Sequence, residues 1–574
     1  MSRLLPGVVV AVSFMFVAGT AMSEDWPRFR GTGGSAVASV ADSDQLPAMW
    51  SPKANLSWKT EMPGPGASSP IVIGEKVFLT CYSGYGLSQE EPGEMEDLVR
   101  HLVCVDLKSG EKIWQKDIPV EGKEDPYTGA GVPAHGYASH TPVSDGEHVY
   151  VFFGKGGVHA FDMDGNKKWS ADVGNESDPM RWGSSSSPIV HGDTVIVTAS
   201  AESQSIIGFN KATGEEVWRQ EAKGLDNMWG TPTMVEIDDS RTDLVMCVAK
   251  EMWGMDPATG ELRWFADASG SEHAYTSVIT DENKVFAFTG RGGGSVAIEA
   301  GGSGNVSETN TVWTGRDSTS FASPVRKDNR IYIVSRNIIS VVNAETGERI
   351  KQKRLKGTMQ TGGRFGSLDY PSPIIANNHL FYMNGSGQMF VLTLEDDPEL
   401  VAINRVTSDK EIFWGSPAVS QDRMLIRSDK HLYCVADKSE EVNPDDNELA
   451  ESIEDAEEGE AQPQGRGGGG GGNRRFDPNA MFGQLDTNSD DKITEDELEG
   501  NRMGERLKEL DKDEDGEISK DEFTTGITSL FQRGGGGNRG GGGNRGGGAR
   551  GGSRGGGQSA KPDRPQRPSM AGEK

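Results

Sequence analysis

The sequence predicts an all-β, eight-bladed propeller over residues 24–438, followed by a small all-α module and unstructured segments. Three observations carry this reading. A strand, a turn and a strand ending in Trp recur as one phrase. It reads Asp106, Gly110 and Trp114, then Asp256, Gly260 and Trp264, then the stretch from Phe209 to Gln220, and, one residue shorter, Asp162, Gly165 and Trp169. A Ser-Pro or Thr-Pro step opens an apolar run at Pro70, Pro142, Pro188, Pro232, Pro324, Pro373 and Pro417, with Val278 where the eighth should fall. Successive steps lie 72, 46, 44, 46, 46, 49 and 44 residues apart. A period this regular marks stacked or closed supersecondary units.

Taken in order, residues 1–23 carry Arg3, an apolar run from Leu4 to Val17 and small residues through Ala21 and Ser23, the layout of a secretory signal. The run is too short to span a bilayer. It predicts an exported, periplasmic or extracellular protein with no transmembrane span after cleavage. No Cys follows it, which argues against a lipid anchor.

Each unit then reads as four antiparallel strands in about 46 residues, the size of one propeller blade. Asp at a strand end can bond back to turn amides, Gly supplies positive φ, and Trp buries a large ring against the next blade. The eighth unit ends at Asp437 before its outer strand, and Asn55 to Glu61, with Trp58, supplies the missing one. Closure of this kind leaves no unpaired seam. Blade 6 has Lys351 in place of Trp, and blade 7 lacks the phrase. Blade 1 is expanded by an acidic insertion at 82–100 and a Gly-rich loop at 121–136, and long loops belong on the faces where binding resides.

With the Asp-x-x-x-Gly-x-x-x-Trp phrase in place, residues 26–437 resemble the PQQ-like β-propeller repeat family. The resemblance implies one of two functions. Quinoprotein dehydrogenases of the family oxidise alcohols or sugars with pyrroloquinoline quinone (PQQ) and calcium in the central funnel. Other members are cofactor-free binding scaffolds, among them the BamB-type subunit of the outer-membrane assembly machinery. The chain lacks the adjacent Cys pair that many alcohol dehydrogenases place over the quinone, and its short intervals leave little chain for a roof over a cofactor. Sugar-type quinoproteins also lack that disulfide, so PQQ stands as an alternative that the residues do not favour. The favoured reading is a scaffold that binds a protein or surface polymer on one face, with no catalytic residues assigned.

Register names the candidate face. The residue three before the strand-opening step is Trp229, Tyr275, Phe321, Tyr370 and Trp414 in blades 4 to 8, joined by Arg181, Trp182, Glu272, His273, Arg364 and Asp369. Two roles fit such rings, a ligand surface at the channel mouth and structural wedges between blades. His140 reads as a structural histidine.

Behind the propeller, residues 439–475 form an acidic and then Gly-rich linker; 440–460 hold eleven Asp or Glu and no Lys or Arg, which predicts a solvated, self-repelling segment. Residues 476–532 carry two twelve-residue calcium-loop patterns and resemble an EF-hand pair. The second is complete, with Asp511, Asp513, Asp515, the Glu517 carbonyl, Ser519 and Glu522 as ligands and Gly516 at the tight turn. The first has Asp486, Asn488, Asp490, the Lys492 carbonyl, Thr494 and Glu497, but Asp491 replaces the turn Gly, which predicts a weaker site. Ile493 and Ile518 hold position 8, where paired loops pack. Calcium is therefore the expected cofactor, with an affinity of roughly 0.1 to 1 mM if the module is extracellular.

Residues 533–574 are a Gly/Arg-rich tail with nine Lys or Arg and two acidic residues, expected to be disordered. The whole chain of 574 residues carries a formal charge of −29, which argues against general nucleic-acid binding. Of four Cys, Cys81 and Cys104 fall on neighbouring strands, where a disulfide and two free thiols are both compatible. Cys247 and Cys434 are expected to be buried thiols.

Overall fold

The computed structural model describes residues 25–447 except 40, 42, 121, 130, 269, 291–292 and 357–369. It further describes 453–455, short stretches between 492 and 525, and 563–565. The expected signal segment, most of the linker and most of the tail lie outside the described residues. The chain divides into two compact units, 1–465 with 560–574, and 466–559.

In the first unit eight antiparallel sheets follow one another around a ring. Blade 2 is representative, with strands Val143–Ser144, His148–Phe152, Val158–Asp162 and Lys167–Ala171. Its middle strands are buried on both faces, while the outer strand exposes most of its residues. Blade 8 takes three strands from residues 418–436 and its fourth from Leu56–Glu61, which pairs antiparallel with His431–Ala436 and sets Trp58 opposite Cys434. The ring is thus closed by an amino-terminal strand, as the sequence predicts.

In five blades the Trp that ends the blade lies on the turn Gly of the next; Trp264 of blade 4 instead donates its indole N–H to Asp243 of its own blade at 2.7 Å. Trp169 donates its indole N–H to the Lys211 carbonyl at 2.9 Å, and a Cβ on Gly214 would fall 2.6 Å from its ring. Gly214 has φ 76°, so conformation and contact both require Gly there. Trp58 meets Gly110, Trp114 meets Gly165, Trp218 meets Gly260 and Trp313 meets Gly347 in the same way. Trp313 is the member that the spacing hides: residues 300–310 are inserted before its strand, and of these Gly304–Asn305 joins blade 4 instead.

One open alternative is decided and two expectations change. Cys81 and Cys104 are free buried thiols. Cys104 stands opposite Phe78, three residues from Cys81, so the two point to opposite faces of the sheet and pack in different cores. The start of the linker is not simply solvated. Glu440 accepts from the Asn55 amide at 2.7 Å, the Asn447 side chain donates to the Trp50 carbonyl at 2.8 Å, and Ile453–Asp455 adds a fifth strand to blade 6. That strand pairs antiparallel with Arg349–Leu355, setting Lys353 opposite Asp455 and Leu355 opposite Ile453 in register. From the tail, Asp563–Pro565 lies against blade 4 instead of running free. Among the described residues no helix is long and apolar enough to cross a membrane.

Candidate functional site

The residue before each strand-opening step does the same work in every blade. The backbone N–H of Ser69 donates to the Thr141 hydroxyl, Thr141 to Ser187, Ser187 to Thr231, Thr231 to Ser277, Ser277 to Ser323, Ser323 to Ser372, Ser372 to Ser416, and Ser416 back to Ser69, each at 2.9 or 3.0 Å. These amides are buried and have no sheet partner, so a side chain must satisfy them. Eight hydroxyls therefore form a closed collar, including Ser277, where the following residue is Val278.

The collar surrounds a cavity of about 580 Å³. Above it stand the rings three residues earlier. Trp229 stacks on Tyr275 with centroids 5.1 Å apart and planes 18° apart, Tyr275 meets Phe321 at 5.0 Å, and Phe321 meets Tyr370 at 5.0 Å. His273 stacks on Tyr275 at 5.6 Å, and the Trp229 indole donates to the Gly183 carbonyl at 2.8 Å. The result is a continuous aromatic arc across blades 4 to 7, each ring half-buried with part of its surface in the cavity.

Of the candidate face, Trp182, Trp229, His273, Tyr275, Phe321, Tyr370 and Trp414 line this cavity. Two charged candidates do not. Glu272 is exposed and pairs with the Lys250 ammonium at 2.7 Å, and Arg181 is exposed with φ 54° outside the lining, because a charge beside an apolar arc is better solvated outward. Arg364 and Asp369 lie outside the described residues. Phe29, His135 and Asn227 line the cavity without having been singled out in the sequence.

Phe29 arrives on an amino-terminal segment that crosses the ring. Trp26 bridges to Val72 of blade 1, the Arg28 guanidinium donates to the Pro232 carbonyl of blade 4 at 3.0 Å, and Val37 bridges to Ile375 of blade 7. Arg30, almost fully buried, donates to the Ser323 and Pro324 carbonyls at 3.0 and 2.5 Å. Burial lowers its pKa to about 9. No periodic signal marks this segment, since it belongs to no blade.

A polar chamber adjoins the cavity and shares His135 and Ser139 with it. Arg100 and Glu124 form a buried pair at 2.5 Å. Glu202 accepts from the Ser184 hydroxyl at 2.7 Å through one oxygen and has no partner at the other among the described residues, and burial pushes its carboxyl up to about 7. His140 bonds Ser184 at 3.1 Å and packs its ring at a tilt against Phe152, centroids 4.3 Å apart, and burial holds it down to about 3, the behaviour of a neutral structural histidine.

In the second unit, Lys492–Ile493 pairs antiparallel with Ile518–Ser519, with buried Ile493 opposite buried Ile518. Gly516 has φ 90°. One Asp511 oxygen accepts from the Gly516 amide at 3.0 Å, while the other is shielded from solvent and has no hydrogen-bond partner among the described residues. Glu522 accepts from the Lys512 and Ser519 amides at 2.8 and 3.0 Å, which draws the two ends of the loop together. Asp486, Asn488, Asp490, Glu497 and Asp513 lie outside the described residues. Among the described residues no group of three or more His, Cys, Asp or Glu converges.

The fold and cavity define an eight-bladed propeller with an aromatic mouth. The chain belongs to the family described as outer membrane protein assembly factor BamB, which matches residues 99–353 and, overlapping, 205–443. No curated protein matches the chain. Similar solved structures include BamB from Moraxella catarrhalis, with 12% identity, TM-score 0.46, and coverage of 68% of this chain and 99% of that one. A europium-containing methanol dehydrogenase has 11% identity, TM-score 0.45, and coverage of 70% and 89%. The quinohemoprotein alcohol dehydrogenase from Comamonas testosteroni has 11% identity, TM-score 0.39, and coverage of 73% and 82%.

Proposed function

We propose that the chain is an exported, calcium-binding scaffold whose propeller holds a protein or surface-polymer partner at the aromatic mouth. The observation that carries this reading is the cavity lining, which contains no Asp, Glu, Lys or Arg among the described residues. An arc of rings over a collar of hydroxyls suits a partner that inserts a proline, an aromatic side chain or a sugar ring, held by stacking and a few hydrogen bonds. The family's description as an assembly factor supports a protein of the cell envelope as that partner. Selection of a displayed peptide library and a glycan array on the full chain tests it. Ligands enriched by the wild type and lost with Trp229→Ala and Tyr275→Ala support the reading, and equal enrichment by both proteins refutes it.

The alternative is a PQQ-dependent dehydrogenase, and the arc of rings is the observation in its favour, since a flat quinone stacks on such a surface. The donor set does not fit. PQQ is a tricarboxylate that calls for cations, and its calcium calls for several oxygen ligands, usually carboxylates. The described lining supplies neither. Reconstitution with PQQ and calcium, read by quinone retention and dye reduction, discriminates the two readings.

For the second unit, the proposal is an EF-hand pair. The unpartnered Asp511 oxygen, the left-handed Gly516 and the Ile493–Ile518 pairing support it. Asp511, Asp513, Asp515, Glu517, Ser519 and Glu522 would hold one calcium, and Asp486, Asn488, Asp490, Lys492, Thr494 and Glu497 a second, weaker one.

A further inference from the structure

The flank of blade 4 holds a second built site, made of residues that are not among those lining the cavity. Glu251 begins the strand Glu251–Met255 and is only 1% exposed, with one carboxylate oxygen fixed by the Trp253 indole N–H at 2.9 Å. Beside it lies Phe265, on the outer strand Leu262–Asp267. The Arg564 guanidinium closes on both. Its Nε and a terminal nitrogen donate to the two Glu251 oxygens at 2.8 and 2.5 Å, and its central carbon sits 3.4 Å from the Phe265 ring centroid. The backbone is read as well: the Gly224 amide, in the turn Lys223–Leu225 that leads out of blade 3, donates to the Asp563 carbonyl at 3.0 Å, and Pro565 is buried.

Each component has a physical cost that makes an accidental contact a poor account. A carboxylate this deeply buried is unfavourable unless a cation meets it, and the planar fork of Arg satisfies both oxygens where a Lys ammonium cannot. An aromatic face alongside adds cation–π attraction to the same cation. The amide of Gly224 fixes the direction of the incoming chain, and proline at the next position is pre-set for an extended backbone.

We propose that this flank is a peptide-recognition site for an Arg-Pro segment, filled in cis by Asp563–Pro565. The chain that leaves the propeller unit after residue 465 thereby returns to it, and the tail is an anchored segment. Release of the tail exposes a receptor for an Arg-Pro peptide.

The test uses the full chain with Arg564→Ala and Arg567→Ala, because Arg567-Pro568 repeats the dipeptide, and a fluorescent peptide of residues 558–570. Anisotropy should show saturable binding to this released chain and binding roughly tenfold weaker to the wild type, whose own tail competes. Adding Glu251→Gln to the released chain, or placing Lys at the Arg564 position of the peptide, should each weaken binding by roughly tenfold or more. The peptide variant leaves the protein untouched, so the result does not depend on how well Glu251→Gln folds. Absence of saturable binding to the released chain, or equal binding of the Lys peptide, overturns the site. Wild-type chains that dimerise while released chains stay monomeric overturn the cis assignment.

Discussion

The backbone N–H of Ser416 donates to the hydroxyl of Ser69 at 2.9 Å, joining the last blade to the first across 347 positions of chain. With that bond the collar around the channel has no end, and ring closure rests on two independent devices, the collar inside and the Leu56–Glu61 strand outside.

Removing one hydroxyl from the collar leaves a buried amide without its acceptor. Ser69→Ala should lower stability by about 1–3 kcal/mol, read as a shift in denaturant midpoint with an unchanged slope. Ser277→Ala should cost a similar amount although no Pro follows it.

At the blade seams, Trp169→Ala removes a buried ring and an indole hydrogen bond and should cost about 3–5 kcal/mol. Gly214→Ala places a methyl against that ring at φ 76° and should also destabilise. The two sites touch, so a double-mutant cycle should return less than the sum of the single effects.

Glu202 sets a pH dependence. Its carboxyl holds a proton up to about pH 7 in the fold and to its ordinary value of 4.5 when unfolded. The native state therefore binds more protons between those values, and stability that is complete below pH 4.5 falls as pH rises to 7. Glu202→Gln should remove this slope, worth at most about 3 kcal/mol. His140 and His159, held by burial to about 3 and about 4, act in the opposite direction, since stability is lost as pH falls below their ordinary 6.5. Urea titrations at pH 4.5, 6 and 7.5 separate the two trends.

Calorimetric titration of the full chain with calcium should show binding in the range of roughly 0.1–1 mM. Asp511→Ala with Glu522→Ala should abolish the tighter component. Asp491→Gly should strengthen the weaker one by relieving the turn. No heat from the wild type would refute calcium binding.

Repetition made the blades legible, because an Asp or Asn seven or eight residues before a Trp marks the strand that ends a blade. It failed at Trp313, where an insertion breaks the spacing, and at the Phe29 segment, which repeats nothing. The aromatic arc was readable from register, since one offset from each step places every ring on the same side of the collar. Arg181 and Glu272 share the neighbourhood in sequence but not the lining, because a charged side chain turns toward water where a ring turns inward. The collar was half visible: the steps stood out through Pro, while the hydroxyl before it makes the bond. Docking of Arg564 was not visible, since it depends on a carboxylate 313 positions away.

The most direct test of the scaffold reading places a photo-crosslinking amino acid at Tyr275 or Trp414 in the full chain, expressed in the cells that produce it, with Val217 on an exposed outer strand as control. The mouth positions should yield a discrete protein adduct or a polymer ladder that the Val217 position does not. No adduct from either mouth position, or the same adducts from all three, would contradict a partner held at the aromatic mouth.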